Sequence, residues 1–202
     1  MMSRMSWVII GLGNPGEDYK ETRHNAGRMA VEFLAKKSGS STWKIHKSSE
    51  SLTTGATVGK NLLALVLPET FMNKSGISAS KFVKSVKAAQ KMIVVYDDLD
   101  LPIGRIKVSF DRGSGGHKGV ESIMRSLKTK KFTRIRIGVS PTTATGKIRK
   151  PEPGDGVNTF ILNRFKSHEM DDLKKVFKDV CDAIELIVQD GPLIAMNRFN
   201  SN

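Results

Sequence analysis

The chain has 202 residues, of which 39% are hydrophobic and 26% charged, and its formal net charge at pH 7 is +13. This length and composition predict a single globular domain over residues 1–202, because two domains of this chain would each be small. No apolar run approaches the roughly 18 to 20 residues that cross a bilayer, and the single cysteine, Cys181, excludes an intrachain disulfide.

The same features bear on where the protein acts. The first six residues lack the apolar region of a signal peptide, and one cysteine agrees with a reducing compartment. We therefore expect a soluble cytoplasmic protein that has no contact with membranes. A mitochondrial matrix or other organellar location stays open, although the basic start is too short for a transit peptide. The sequence pattern shows no long exposed apolar surface that would require a partner, so a monomer is expected.

The first predicted strand, residues 7–10, runs into the turn Gly11–Gly16, whose spacing is that of the G-x-G-x-x-G dinucleotide fingerprint. Two of the three context checks for that fingerprint fail. Pro15 has no N–H to offer a phosphate, and Glu32, at the distance of the ribose-binding acid, lies in a helical pattern. The motif therefore predicts a tight turn that presents Asn14, with a nicotinamide-dependent oxidoreductase as the alternative.

Apolar periodicity predicts the other elements in chain order. They are helix 25–37, strands 42–48, 52–58 and 61–67, helix 76–89, strands 92–96 and 105–110, helix 117–128, strand 134–139, a mobile loop at about 140–156 and a C-terminal amphipathic helix at about 167–189. Strands that alternate with helices indicate an α/β fold, with a mixed, mostly parallel sheet flanked by helices on both faces.

Polar residues follow several of the predicted strands. The ones that carry useful chemistry are Asn14, His24, Asn73, Asp97 and His117. Ligands of α/β sheets collect beyond the carboxyl ends of the strands, so these side chains are expected to converge. Taken alone, each is more often a cap or a turn residue, and their convergence is what favours a functional site.

The residue types narrow the chemistry of such a site. The sequence has no G-x-S-x-G nucleophile motif and no H-E-x-x-H or C-x-x-C metal motif. Water is therefore the expected nucleophile, with a histidine as its base. His24 is the best candidate, because imidazole titrates near neutral pH and an aspartate can hold its tautomer and ring orientation.

Most of the positive charge lies in one segment of the sequence. Residues 105–150 contain 13 Lys and Arg against two acids, a net +11 of the total of +13. A solvated basic surface is one explanation, but so uneven a distribution favours a phosphate-rich partner. No Trp or Tyr lies in the segment, which favours contact with the backbone of a folded or duplex nucleic acid over base stacking.

Six motifs, in this order, resemble those of the bacterial-type peptidyl-tRNA hydrolase family over about residues 7–199. They are Gly11–Gly16, Thr22–Gly27, Thr70–Gly76, Asp97–Gly104, Gly115–Gly119 and Arg134–Gly138. The resemblance implies an enzyme that cleaves the ester bond between a peptide and the terminal ribose of tRNA. It also implies that the reaction needs no cofactor and no metal.

The resemblance implies roles for individual residues as well. His24 would be the general base for the attacking water, Asp97 its orienting partner, and Asn14 a third catalytic residue that fixes water or substrate. The residues that would bind the peptide or the tRNA are Tyr19, Asn25, Phe71, Met72, Asn73, Lys107, His117, Lys118 and Arg136. The segment 105–150 would receive the acceptor arm of the tRNA, and charge reversal at Lys118, Arg134 and Arg136 would weaken that binding.

Lys118 departs from the family pattern, because most bacterial members have asparagine after the histidine of the Gly-Gly-His turn. Lysine only donates hydrogen bonds and adds a charge, whereas asparagine both donates and accepts. The departure keeps two alternatives open: an organellar or eukaryotic member, and a non-catalytic RNA-binding relative. The presence of His24, Asp97, Asn14 and Asn73 argues against the non-catalytic relative.

Overall fold

The computed structural model of the protein describes residues 6–40 and 42–201. Its strands are β1 (Trp7–Gly11), β2 (Lys44–His46), β3 (Ser51–Val58), β4 (Asn61–Pro68), β5 (Met92–Pro102), β6 (Ile106–Phe110) and β7 (Thr133–Ser140). Its helices are α1 (Ala26–Lys37), α2 (Ser75–Phe82), α3 (Val86–Ala89), α4 (Lys118–Leu127), α5 (Asp155–Leu162), α6 (Ser167–Asp190) and α7 (Pro192–Asn200). The expectation about a signal peptide rests on residues 1–6, of which 1–5 lie outside the described residues.

The strands form one seven-stranded sheet in the order β2-β3-β4-β1-β5-β7-β6. The neighbours β4, β1, β5 and β7 are parallel, whereas the pairs β2–β3, β3–β4 and β6–β7 are antiparallel. Helices cover both faces of the sheet. The predicted class, a single α/β domain with a mixed, mostly parallel sheet between helices, is confirmed.

Alternation of side chains along the central strands creates two cores. Ile9 packs in a core with α1 and α6, whereas Ile10 packs in a core with α2 and α4 on the other face. β4 is buried on both faces from Leu63 to Leu67, as its continuous apolar run predicts. Polar side chains are therefore concentrated where these central strands end.

Close packing of α1 against the sheet explains two glycines. A Cβ on Gly27 would lie 2.1 Å from the carbonyl oxygen of Val95, and one on Gly11 would lie 2.7 Å from the carbonyl oxygen of Gly27. The glycine motif thus serves helix packing and a turn. It leads into a 3-10 turn, Glu17–Tyr19, that begins with two acids, instead of the α-helix N-terminus that a pyrophosphate needs.

The predicted helix 76–89 is wrong in its continuity, since α2 and α3 occupy this stretch as separate helices. Val83 adopts an extended conformation and is buried. Ser85 then caps α3, because its side chain accepts a hydrogen bond from the backbone N–H of Ala88 at 3.1 Å. The buried, extended Val83 thus ends α2, and helical periodicity alone does not predict this break.

Strand β5 is longer than the predicted strand 92–96, because it includes the acidic residues that were expected to follow it. Asp97 and Asp98 lie within the pairing of β5 with β7. The register then shifts between Asp98 and Pro102. A Cβ on Gly138 would lie 2.0 Å from the carbonyl oxygen of Pro102, so glycine is what lets the two strands stay close.

Two helices near the C-terminus are absent from the prediction. α5 begins at the end of the predicted loop 140–156. α7 begins with Pro192 after Gly191, and proline is typical of the first helical turn. α6 matches the predicted helix 167–189 closely. None of the described helices is both long and apolar enough to cross a membrane.

The substitution Gly27→Ala tests the packing of α1. We expect it to lower the free energy of unfolding by about 3 kcal/mol, because the added methyl group meets backbone atoms of β5. Urea unfolding followed by circular dichroism measures the change. Gly55→Ala is the control, since its Cβ would make only an ordinary contact at 3.8 Å. Equal stabilities of the two variants would contradict the prediction.

Candidate active site

Asn14 joins the turn after β1 to two neighbouring segments. Its backbone N–H donates to Oδ1 of Asn25 at 2.8 Å, and Nδ2 of Asn25 donates to the backbone oxygen of Asn14 at 2.9 Å. Its own Oδ1 accepts from the backbone N–H of Met72 at 2.8 Å. This last bond identifies the side-chain oxygen of Asn14, so Nδ2 is the group left to donate.

His24 contacts the carboxylate of Asp97. Nδ1 of His24 lies 2.9 Å from Oδ1 and 3.1 Å from Oδ2 of Asp97. Both residues are buried, with 6% of His24 and 4% of Asp97 exposed. His24 comes from the 3-10 turn Arg23–Asn25 ahead of α1, and Asp97 comes from β5. The structure therefore brings together the two residues that the sequence predicts as base and orienting partner.

His117 is a second partner of Asp97. Its Nε2 lies 3.0 Å from Oδ1 of Asp97, and its Nδ1 accepts from the backbone N–H groups of Gly119 and Val120 at 3.2 and 3.3 Å. The ring is thus the N-cap of α4. Because Nδ1 accepts, the proton of the neutral ring is on Nε2, facing Asp97. Substrate binding by His117 stays a prediction, and both of its ring nitrogens are used within the protein.

Asp97 is ionised in this setting. Burial raises its pKa, but the interactions of the carboxylate with His24 and His117 outweigh burial and hold the pKa well below its ordinary value. An ionised carboxylate only accepts hydrogen bonds, so the His24 nitrogen that faces it carries a proton. Nε2 of neutral His24 is then left with a lone pair.

The same three side chains also have the spacing of a metal cluster, since their potential ligand atoms lie within 4.8 Å of one another. The hydrogen bonds of His117 oppose that use. To bind a metal through Nε2, the ring would have to carry its proton on Nδ1, where it would meet the N–H groups of Gly119 and Val120. Metal binding would therefore break the cap of α4, and we interpret the cluster as a hydrogen-bonded unit.

A cavity of about 750 Å³ opens beside His24 and Asp97. The lysines and arginines on its wall include Lys107 of β6, Arg112, Lys118 at the start of α4, Arg136 of β7 and Lys150. Residues of α5 and α7 complete the wall. The fold thus gathers part of the basic segment 105–150 around one cavity, next to the proposed base.

Arg134 also lines the cavity but is almost fully buried, so its part in binding a partner stays a prediction. Only 1% of the residue is exposed, and its Nη1 donates to the carbonyl oxygen of Gly113 at 2.6 Å. Burial lowers the pKa of Arg134. The basic segment therefore exposes fewer cations than its net charge indicates.

Two acids of β5 pair with cations of the cavity wall. Asp98 forms an ion pair with Arg136, and Asp100 contacts Nζ of Lys150 at 2.5 Å. Burial lowers the pKa of Arg136, but the Asp98 carboxylate outweighs burial and raises it. A phosphate that binds Arg136 must therefore compete with Asp98 for the guanidinium.

A second group of predicted residues lies outside this cavity. Tyr19 and Phe71 form an edge-to-face pair, with ring centroids 6.3 Å apart, and Phe71 is exposed. Asn73 is exposed in the turn after β4, whereas Met72 is buried and bonds to Asn14. The predicted site residues thus divide into a cationic group that shares the cavity with His24 and a second group outside it, in which Met72 and Asn25 bond to Asn14.

The sequence did not predict two contacts, the capping of α4 by His117 and the double hydrogen bond of Asn25 to Asn14. For His117 a signal was present, because the predicted helix 117–128 begins at this residue, and the N-cap lies at the start of a helix. For Asn25 no local pattern indicates its double hydrogen bond to Asn14, a residue 11 positions away.

We expect stability to depend on pH through Asp97. A carboxylate with a lowered folded-state pKa stabilises the fold above its unfolded pKa of about 4, and this contribution is lost as the pH falls further. In urea unfolding between about pH 3 and 7, Asp97→Asn should be less stable than the parent by about 2 kcal/mol at neutral pH, with a smaller difference below about pH 4. Asp18→Asn, at an exposed turn, is the control. A difference that stays constant over this range would contradict the prediction.

Comparison with known proteins places the chain in a family. The family model described as peptidyl-tRNA hydrolase matches residues 8–202. Peptidyl-tRNA hydrolases of Alkaliphilus oremlandii and Chloroflexus aggregans are 40% and 39% identical to this chain, over 96% of it and 98% of each relative. The crystal structure of the peptidyl-tRNA hydrolase of Acinetobacter baumannii has a TM-score of 0.84 at 33% identity, over 98% of this chain and 97% of that one. Because the match covers nearly the whole length, the chain belongs to the peptidyl-tRNA hydrolase family of enzymes.

Proposed function

We propose that the chain hydrolyses the ester bond between the peptide and the 3′-terminal ribose of peptidyl-tRNA, with His24 as the general base for water. The observation that carries this proposal is the buried contact of His24 Nδ1 with Asp97, which leaves Nε2 with a lone pair. His24 also lines the cavity, so water and a substrate carbonyl can approach it. Membership of the family supports the choice of substrate.

The reaction follows from this arrangement of protons. Nε2 of His24 takes a proton from water while the water oxygen bonds to the ester carbonyl carbon. Asp97 stabilises the imidazolium that forms and stays ionised itself. The bond between the carbonyl carbon and the ribose oxygen then breaks, and the imidazolium returns its proton to that oxygen. Free peptide and tRNA are the products.

Asn14 is suited to the oxygen of the substrate carbonyl. Its Oδ1 already accepts from the backbone N–H of Met72, and the hydrogens of Nδ2 stay available for donation to the substrate. A donor aimed at a developing oxyanion typically lowers the barrier by about 3 kcal/mol. In the neighbouring turn, the amide of Asn73 is suited to the peptide backbone, and the Tyr19–Phe71 pair to apolar side chains of the peptide.

The acceptor arm of the tRNA would lie along the cationic wall of the cavity. Lys107 and Lys118 are exposed there, and Arg136 is partly exposed. Such a surface binds phosphates and not bases, and Lys118 adds a cation where the family usually has an amide. We place this reaction in the cytoplasm and assign it to a monomer. Among the described residues, large exposed apolar side chains are spread over several elements, which is compatible with a monomer.

His24→Ala should lower kcat for N-acetylaminoacyl-tRNA by about 10²- to 10⁴-fold, as expected for a positioned general base. Binding of tRNA should stay nearly intact, because the cationic side chains are unchanged. Release of free peptide from the purified substrate gives the rate, and filter binding gives the affinity. His168→Ala, at an exposed position of α6, is the control and should keep the turnover of the parent.

Two results would contradict the proposal. Turnover close to that of the parent in His24→Ala would remove the proposed base. A parent chain that binds tRNA but releases no peptide would instead indicate a non-catalytic RNA-binding relative.

The double variant Lys107→Gln, Lys118→Gln tests the cationic surface. Each lost phosphate contact should flatten the plot of log affinity against log salt by about 1, so a change of about 2 and weaker binding are expected. Filter binding of tRNA over a salt series measures the slope. The control is Lys174→Gln, Lys175→Gln, which removes the same charge from α6, away from the cavity. An unchanged slope would place the tRNA on another surface.

A further inference from the structure

A buried ion pair adjoins the His24 turn. Arg23, the residue before His24, donates from Nη1 and Nη2 to the carboxylate of Glu169 in α6, at 2.9 to 3.0 Å. Only 5% of Arg23 and 6% of Glu169 is exposed. Glu169 also accepts from the backbone N–H of Lys166 at 2.7 Å. Neither member of the pair lines the cavity, so their charges serve something other than contact with substrate.

Two aromatic rings flank the guanidinium of Arg23. Its Cζ lies 4.7 Å from the ring centroid of Phe160 and 4.8 Å from that of Phe165. The negative face of an aromatic ring attracts a cation, and more strongly where both are shielded from water. Phe160 belongs to α5, and Phe165 lies between α5 and α6. One side chain therefore connects both helices to the turn that carries His24.

Helix α5 forms part of the cavity wall through three of its residues, Val157, Asn158 and Ile161. Phe160 of the same helix contacts Arg23 instead. None of the α5 residues is buried, and the α5 side chain that packs on the main hydrophobic core is that of Phe160 itself. The backbone N–H of Arg23 also donates to the carbonyl oxygen of Asn163, directly after α5, at 3.1 Å. The position of this wall thus depends on Arg23 in two ways.

A buried ion pair contributes little net stability compared with apolar packing, because desolvation offsets the attraction. It does define geometry, since a guanidinium that bonds a carboxylate through two nitrogens has a fixed orientation. We propose that Arg23 is a positioning residue, which couples the α5 wall of the cavity to the His24 turn. A substrate held against α5 is then presented to Nε2 of His24. This inference rests on the proposed function.

Phe160→Leu removes the ring contact with little effect on the fold, because Phe160 is only partly buried. We expect kcat for N-acetylaminoacyl-tRNA to fall by about 10-fold or more, as for a misplaced reacting group, while the thermal midpoint stays close to that of the parent. Arg23→Lys keeps the charge but loses the two-nitrogen contact, and should lower kcat similarly. The control is Phe177→Leu, a buried substitution in α6 away from the cavity, which should lower stability and leave kcat unchanged.

A second measurement does not depend on hydrolysis. The ring ¹⁵N chemical shifts of His24 report the position of its proton, and they should change in Phe160→Leu and in Arg23→Lys, whereas those of His46 should not. If the parent releases no peptide, the proposed function fails, and the His24 shifts still test the coupling. Unchanged kcat and unchanged His24 shifts in Phe160→Leu would overturn the inference. An equal loss of kcat in Phe177→Leu would also overturn it, because the effect would then be merely structural.

Discussion

The ionised carboxylate of Asp97, buried in a central strand, is the constraint on which the arrangement of the site depends. A buried charge requires hydrogen-bond donors, and two imidazole rings from distant parts of the chain supply them. His117 donates to it because the first N–H groups of α4 occupy its other nitrogen. His24 donates through Nδ1 and keeps a lone pair on Nε2. The turn before α1, the end of β5 and the start of α4 must therefore be correctly placed together before the site exists.

Features that depend on local pattern could be predicted from the sequence. Continuous apolar runs indicate the central strands, and helical periodicity indicates α6, because each pattern reflects burial of that segment alone. The convergence of His24 and Asp97 could also be predicted, since parallel strands present their carboxyl ends at one edge of a sheet. The sequence does not predict that Asp97 lies within β5 instead of after it. That position depends on pairing with β7, and the close approach of the two strands requires Gly138, which is far along the chain.

Burial of charged residues was the least predictable part of the structure. Arg134 and Arg136 are two positions apart on one strand and both line the cavity, yet Arg134 is almost fully buried whereas Arg136 is partly exposed. How far each is exposed depends on what covers its side chain. The burial of the Arg23–Glu169 pair could not be predicted either, since its members are 146 positions apart and no local pattern marks either residue as buried.

The acids that accompany the cations of the cavity have a consequence for ligand selection. Arg136 and Lys150 already have carboxylate partners. An anion that binds either cation must displace the carboxylate, so its binding energy is only the difference between the two contacts. A nucleotide or an inorganic phosphate exchanges one contact for another and gains little. A polyanion with regularly spaced phosphates reaches several cations at once and releases condensed counterions in addition. The carboxylates of β5 thus lower what a single phosphate gains at Arg136 and Lys150, so binding at these two cations depends more on the number of charges on a ligand than on the presence of a charge.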